Sequence, residues 1–166
     1  KDILTILQNC SNVRLKVFIL VLASSGMRAG EALSLRREDI DFSTSPTRIH
    51  IRAEYTKTRQ DRDVFISDEA SKELKKYIEL KPSHLIFTKK GNSDLTNIYR
   101  RFHINFSRVL KKVEMDKRKD GQGTQRRKIS FHSLRRFVKT QISKHAGEDG
   151  SDFSEVILGH INIKTT

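Results

Sequence analysis

Apolar residues recur every three or four positions along most of this chain, and breaks in that rhythm divide it into helices. Residues 2–9 carry Ile3, Leu4, Ile6 and Leu7 behind Asp2, a short helix with a candidate N-cap. Asn12 opens a second helix over about 12–24. Its apolar residues lie on all sides, the mark of a central buried helix. Gly26 ends it, because glycine tolerates the positive φ of a helix C-cap. A third helix is predicted over about 28–36, with Ala32, Leu33 and Leu35 facing inward.

The period then shortens to two. Thr47–Ala53 alternates Ile49, Ile51 and Ala53 with Arg48, His50 and Arg52, a half-buried strand, and Asp63–Ile66 forms a second. Residues 54–62 join them as a hairpin with Lys57, Arg59 and Arg62 at its tip, and Arg36–Asp41 before it reads as a solvated, mixed-charge exit. Ser67 caps a helix over about 68–80 that Pro82 stops. Leu85-Ile86-Phe87 is a short apolar run. Ser93 or Asp94 caps a long helix reaching about 114. Leu95, Ile98, Phe102, Phe106, Val109, Leu110 and Val113 form its core stripe, against a face of Arg100, Arg101, Arg108, Lys111 and Lys112. A last long helix over about 131–145 turns Leu134, Val138 and Ile142 toward the core. Asp152-Phe153-Ser154-Glu155 has the form of a capping box for one more short helix, after which Gly159 makes the turn presenting His160. The predicted fold class is α+β, mainly helical, with a small antiparallel β-hairpin or sheet at one edge. Residues 1–166 read as one domain without internal repeats.

Charge changes this picture more than composition does. Hydrophobic residues make up 36% and charged residues 32%, consistent with a folded chain long enough for a sizeable core. The net charge is +13, and residues 100–144 hold 15 Lys/Arg against 3 Asp/Glu, so nearly all the excess sits in one segment. A field concentrated this way points to a polyanion, most simply nucleic acid. Within the segment, Asp116–Lys128 is glycine-containing, strongly basic and poor in large apolar residues, which predicts a flexible loop. A single cysteine, Cys10, rules out an internal disulfide and a multi-cysteine zinc site. The apolar run Val17–Ala23 is too short to span a bilayer. A soluble, intracellular protein with no membrane partner is expected.

The candidate chemistry lies in Ser130-Phe131-His132-Ser133-Leu134-Arg135-Arg136-Phe137. On a helix His132 and Arg135 share one face. A guanidinium fork beside an imidazole suits a phosphate, because one binds oxygens and the other donates, accepts or moves a proton. Arg28 sits just after a tight turn at a helix start, a candidate anion site, with Glu31 placed to hold it or nearby backbone N–H groups. Taken singly, each has a plainer reading: an incidental histidine on a basic helix, a surface Arg–Glu pair, a charged hairpin tip.

Taken together and in order, four stretches resemble one known pattern. Gly26-Met27-Arg28-Ala29-Gly30-Glu31 with Leu35, then Thr56-Lys57-Thr58, then His132-Ser133-Leu134-Arg135-Arg136, then Leu158-Gly159-His160 look like the catalytic domain of the tyrosine recombinases, the phage-integrase family. The resemblance covers about residues 12–166. It implies that Arg28 and Arg135 bind non-bridging oxygens of a scissile phosphate. Lys57 would be the general acid toward the leaving 5′ oxygen, His132 would assist proton movement at the nucleophile, and His160 would donate to a phosphate oxygen. Glu31 would support Arg28. Arg59, Arg126, Arg127, Lys128, Arg136 and Lys139 are candidate contacts to double-stranded DNA. The implied reaction is metal-free and cofactor-free transesterification through a 3′-phosphotyrosyl intermediate. The family also implies a tetramer on DNA for the full-length protein, while this chain alone is expected to be a monomer.

The chain departs from the pattern in two places. The nucleophilic tyrosine of the family follows a Thr-Thr like Thr165-Thr166, and so is expected shortly past the end of this sequence. Tyr55, Tyr77 and Tyr99 stand in the wrong places for it, so these residues alone are expected to be unable to cleave by the usual route. The N-terminal domain that clamps the other face of the DNA is likewise expected to be missing. Two other readings compete: a type IB topoisomerase-like domain with related Arg–Lys–Arg–His logic, and a DNA-binding module with no catalytic role.

Overall fold

The chain builds its core around a helix that is apolar on every side. The computed structural model describes residues 2–56, 59–81, 83–88, 94–116 and 129–145. Helix α1 (Asp2–Gln8) leads into α2 (Val13–Ser25), whose N-terminus is capped by the Asn12 side chain accepting from the Leu15 N–H at 3.1 Å. Phe18, Ile19 and Val21 of α2 have no exposed surface. α2 ends at Gly26, in the left-handed region at φ 68°, whose N–H bonds the Leu22 carbonyl. A side chain there costs about 1–2 kcal/mol, because its Cβ crowds the following carbonyl. Gly26→Ala is therefore expected to lower the unfolding free energy by that amount, read as a fall in the denaturant midpoint at an unchanged m-value.

Helix α3 (Ala29–Leu33) is shorter than the rhythm predicts. The chain leaves it at Ser34 so that Leu35 can pass its carbonyl to the Ile86 N–H at 2.9 Å, and Ile86 and Phe87 bury beside it. The stretch expected to be a solvated exit is instead structural. A 3-10 turn over Arg37–Asp39 runs into strand β1 (Ile40–Asp41), which pairs antiparallel with β2 (Thr47–Ile51), and β2 pairs antiparallel with β3 (Arg62–Ile66). Asp39 is buried, accepting from the Arg36 N–H at 2.8 Å and from Arg52 Nε at 2.6 Å. These partners lie up to 13 residues away, which is why local charge reads as solvated. The β2–β3 register pairs Ile49 with Val64 and Ile51 with Arg62, so the alternating apolar face lies on the core.

Helices α4 (Asp68–Leu80), capped by Ser67, and α5 (Leu95–Lys112), capped by Asp94, follow, then α6 (Phe131–His145). Ile98, Phe102, Phe106 and Leu110 form the buried stripe of α5, with Leu95, Val109 and Val113 partly covered. α2 packs on α3, α4, α5, α6 and β3. An aromatic cluster locks three helices to one another. Phe18 lies 4.5 Å from Phe102 and 5.3 Å from Phe131 between ring centroids, and Phe106 stacks on Phe131 at 4.7 Å. Such pairs add about 0.5–1.5 kcal/mol each beyond the area they bury. The fold is thus mainly helical with a three-stranded antiparallel sheet. Among the described residues no helix is long and apolar enough to cross a membrane. Lys57, the segment 117–128 with Arg126, Arg127 and Lys128, the capping-box helix at 152–155, and His160 lie outside the described residues.

Candidate active site

The elements that core packing fixes bring three of the proposed residues to one open pocket of about 330 Å3. It is lined by Met27, Arg28, Ala29, Gly30, Tyr99, Phe131, His132 and Arg135. Phe131 is the link from core to site. Its ring sits among Phe18, Phe106 and Tyr99, and the next residue on the helix is His132. The start of α6 is closed locally, since the Ser133 Oγ accepts from the Ser130 N–H at 3.1 Å. One turn on, Arg135 is 4% exposed and its Nη1 donates to the Gly26 carbonyl at 2.6 Å. The carbonyl of the αL glycine that ends α2 therefore orients the guanidinium, across 109 residues of sequence.

Arg28 is the N-cap of α3, with extended backbone. Helix α3 is only five residues long, so binding of an anion there rests on the guanidinium and not on a helix terminus. Glu31 holds Arg28 twice: Oε2 accepts from the Arg28 N–H at 2.7 Å and Oε1 from Arg28 Nη1 at 3.0 Å. The same Oε2 accepts from Arg62 Nη2, also at 2.7 Å. Burial pushes the Glu31 carboxyl up. The bond and charge of Arg62 oppose it, followed by the N–H and guanidinium of Arg28, and together they hold it below the usual glutamate value.

His132 faces the pocket rim. Partial desolvation lowers its pKa, and the positive charges of Arg136, Arg135 and Arg28 lower it further. The ring is therefore neutral near pH 7 and able to take a proton. An NMR titration is expected to place His132 below ordinary histidine, with Arg136→Ala moving the midpoint up. A midpoint at or above that of an exposed histidine would rule out a field of convergent guanidiniums.

Two residues of this site are not visible in the sequence pattern. Arg62, expected at a hairpin tip, is the first residue of β3 and turns inward, its side chain 10% exposed against Glu31. Tyr99, set aside as misplaced for a nucleophile, forms a wall of the pocket. Desolvation raises its phenol pKa, the opposite of what activates an attacking oxygen, so it shapes the pocket. The other two tyrosines are committed elsewhere: Tyr77 is buried and stacked on Phe87, and the Tyr55 hydroxyl accepts from Arg36. Arg59 and Arg136 are exposed and Lys139 is half-buried. Exposed Arg100, Arg101, Arg108, Lys111 and Lys112 extend the basic surface along α5.

Known proteins with similar chains are recombinases and transposases. Tyrosine recombinase XerA of Saccharolobus solfataricus is 31% identical over 162 residues, covering 97% of this chain and 47% of that protein. Transposase A from transposon Tn554 of Staphylococcus aureus is 25% identical over 171 residues, covering 100% of this chain and 45% of the transposase. The chain thus spans about half the length of these curated relatives. In three dimensions it is similar to XerH site-specific recombinase in a pre-cleavage complex with its difH substrate. That likeness has a TM-score of 0.69 at 22% identity and covers 95% of this chain and 45% of the XerH chain. The model of the phage integrase family matches residues 1–166, from one end to the other. The chain belongs to the phage integrase family, the tyrosine recombinases.

Proposed function

We propose that residues 1–166 are the catalytic domain of a site-specific DNA recombinase or integrase that cuts and rejoins double-stranded DNA through a 3′-phosphotyrosyl intermediate. The observation that carries the proposal is the convergence of Arg28, at the start of α3, with His132 and Arg135, on α6, at one pocket. In this reading the tyrosine that follows Thr165-Thr166 in the longer protein attacks the scissile phosphorus. Its phenolic proton leaves with the help of His132. As the new P–O bond forms, the bond to the 5′ oxygen breaks, and Lys57 gives that oxygen a proton. Arg28, Arg135 and His160 take up the charge on the non-bridging oxygens. Aimed donors of this kind are worth about 10²–10³ in rate each when water is excluded. Two guanidiniums and an imidazole can meet the charge without a divalent ion, so the proposal assigns no metal and no cofactor. The phosphotyrosyl ester conserves the energy of the broken bond, so rejoining needs no nucleotide.

Arg59, Arg126, Arg127, Lys128, Arg136 and Lys139 are assigned to the DNA backbone, and assembly of the full-length protein as a tetramer on DNA is part of the same reading. Binding should then weaken steeply with salt, because each neutralised phosphate releases counterions. The test is a nicked suicide duplex incubated with the full-length protein. A covalent adduct that survives denaturation and maps to the tyrosine past Thr166 supports recombination. Supercoil relaxation with no strand exchange between sites would move the assignment to a topoisomerase, and salt-sensitive binding with no adduct would leave a DNA-binding module.

A further inference from the structure

Glu31 sits where two chains of contact meet. Its side chain is 1% exposed, and its carboxylate is shared between Arg28, which faces the pocket, and Arg62, which comes from the sheet 31 residues away. Arg62 is not among the pocket-lining residues. A buried carboxylate facing Arg28 alone would form a neutral pair and cancel the charge that a phosphate would feel. With Arg62 present, two guanidiniums share one carboxylate, and the group keeps one net positive charge beside the pocket.

We infer that Arg62 is a positioning residue for phosphate chemistry: through Glu31 Oε2 it fixes the carboxylate that aims Arg28, and it offsets that carboxylate's charge so that Arg28 meets the DNA phosphate as a full cation. This rests on the recombinase reading above. It also ties the hairpin strand β3, which follows Lys57 in sequence, to the start of α3.

The experiment uses the full-length protein with Arg62→Met, Arg62→Lys and the double variant Arg62→Met/Glu31→Gln. Three quantities are read: single-turnover cleavage of a nicked suicide duplex at saturating protein, the Kd of the same duplex, and the melting temperature. Arg62→Met is expected to slow cleavage by at least about tenfold while Kd moves less than about threefold, because Arg28, left with the Glu31 charge uncompensated, responds less to charge that grows in the transition state. Arg62→Lys should restore most of the rate, since charge matters more here than the fork. Removing the carboxylate charge in the double variant should raise the rate above Arg62→Met alone, which a mere strut would not do. Wild-type cleavage with an equally active Arg62→Met overturns the inference alone. So does a loss that tracks the melting temperature and yields to neither Arg62→Lys nor the added Glu31→Gln. A wild-type protein that forms no adduct overturns the recombinase reading and this inference with it.

Discussion

Arg135→Ala in the full-length protein is expected to leave duplex binding within about tenfold of wild type and to slow strand cleavage by about 10²–10³-fold. The asymmetry follows from position. Arg135 is one guanidinium among many cations for binding, because most affinity comes from phosphates along the duplex. In the proposed chemistry it is one of two guanidiniums at the pocket, held within hydrogen-bond reach of the Gly26 carbonyl. The substitution also reaches the fold. It removes a buried side chain and takes a 2.6 Å donor from the Gly26 carbonyl, an expected loss of about 1–3 kcal/mol. Arg135→Lys separates the two effects, because an ammonium keeps the charge and loses the planar fork that both the carbonyl and a phosphate use. The measurement pairs adduct formation with a denaturant midpoint for each variant. Cleavage by Arg135→Ala at the wild-type rate, once corrected for the folded fraction, would take Arg135 out of the chemistry.

Glu31→Ala is expected to be the most destabilising change near the site, by about 3 kcal/mol, at the low end for breaking a buried pair because Arg28 stays partly open to water. Side-chain exposure is 1% for Glu31, 10% for Arg62 and 32% for Arg28, so two guanidiniums lose a buried partner and one of them has little water to replace it. For a domain of this size that corresponds to a fall in Tm of roughly 6–12 °C. The pH dependence gives an independent check. The folded Glu31 carboxyl is held below its ordinary value, so the unfolded chain binds the proton first as pH falls. Its contribution is complete above the ordinary glutamate range and disappears as pH drops through the depressed folded value. The stability gap between wild type and Glu31→Ala should therefore narrow from pH 7 toward acid. A gap that stays constant on acidification would mean the carboxylate charge contributes nothing.

Much of this architecture is written locally. Asn12, Ser67 and Asp94 cap the helices that follow them because a short oxygen-bearing side chain reaches a free N–H within the same turn. The apolar period of α5 and α6 places Phe106 and Leu134 in the core with no knowledge of their partners. The order of the four motifs was legible as well, since the residue types a phosphate site needs are unusual together. What stayed hidden depends on partners distant in sequence. Arg36–Asp41 reads as a charged exit because the Arg52 that holds Asp39 belongs to another strand. Arg62 reads as a hairpin tip because Glu31 is 31 residues away, and a strand's register, not its composition, decides which face a charged residue takes. The place of Tyr99 in the pocket wall stays hidden because only the packing of Phe131 against Phe18 and Phe106 carries the start of α6 beside it.

The sequence by itself determined the helices, their caps, the alternating strands and the family pattern, because those signals act within a few residues along the chain. The tertiary structure alone decided that Arg28, His132 and Arg135 face one pocket, that the Gly26 carbonyl aims Arg135, and that Arg62 shares the carboxylate of Glu31. Buried charges settle where oppositely charged or carbonyl partners are brought within about 3 Å, and that distance is set by how the core closes.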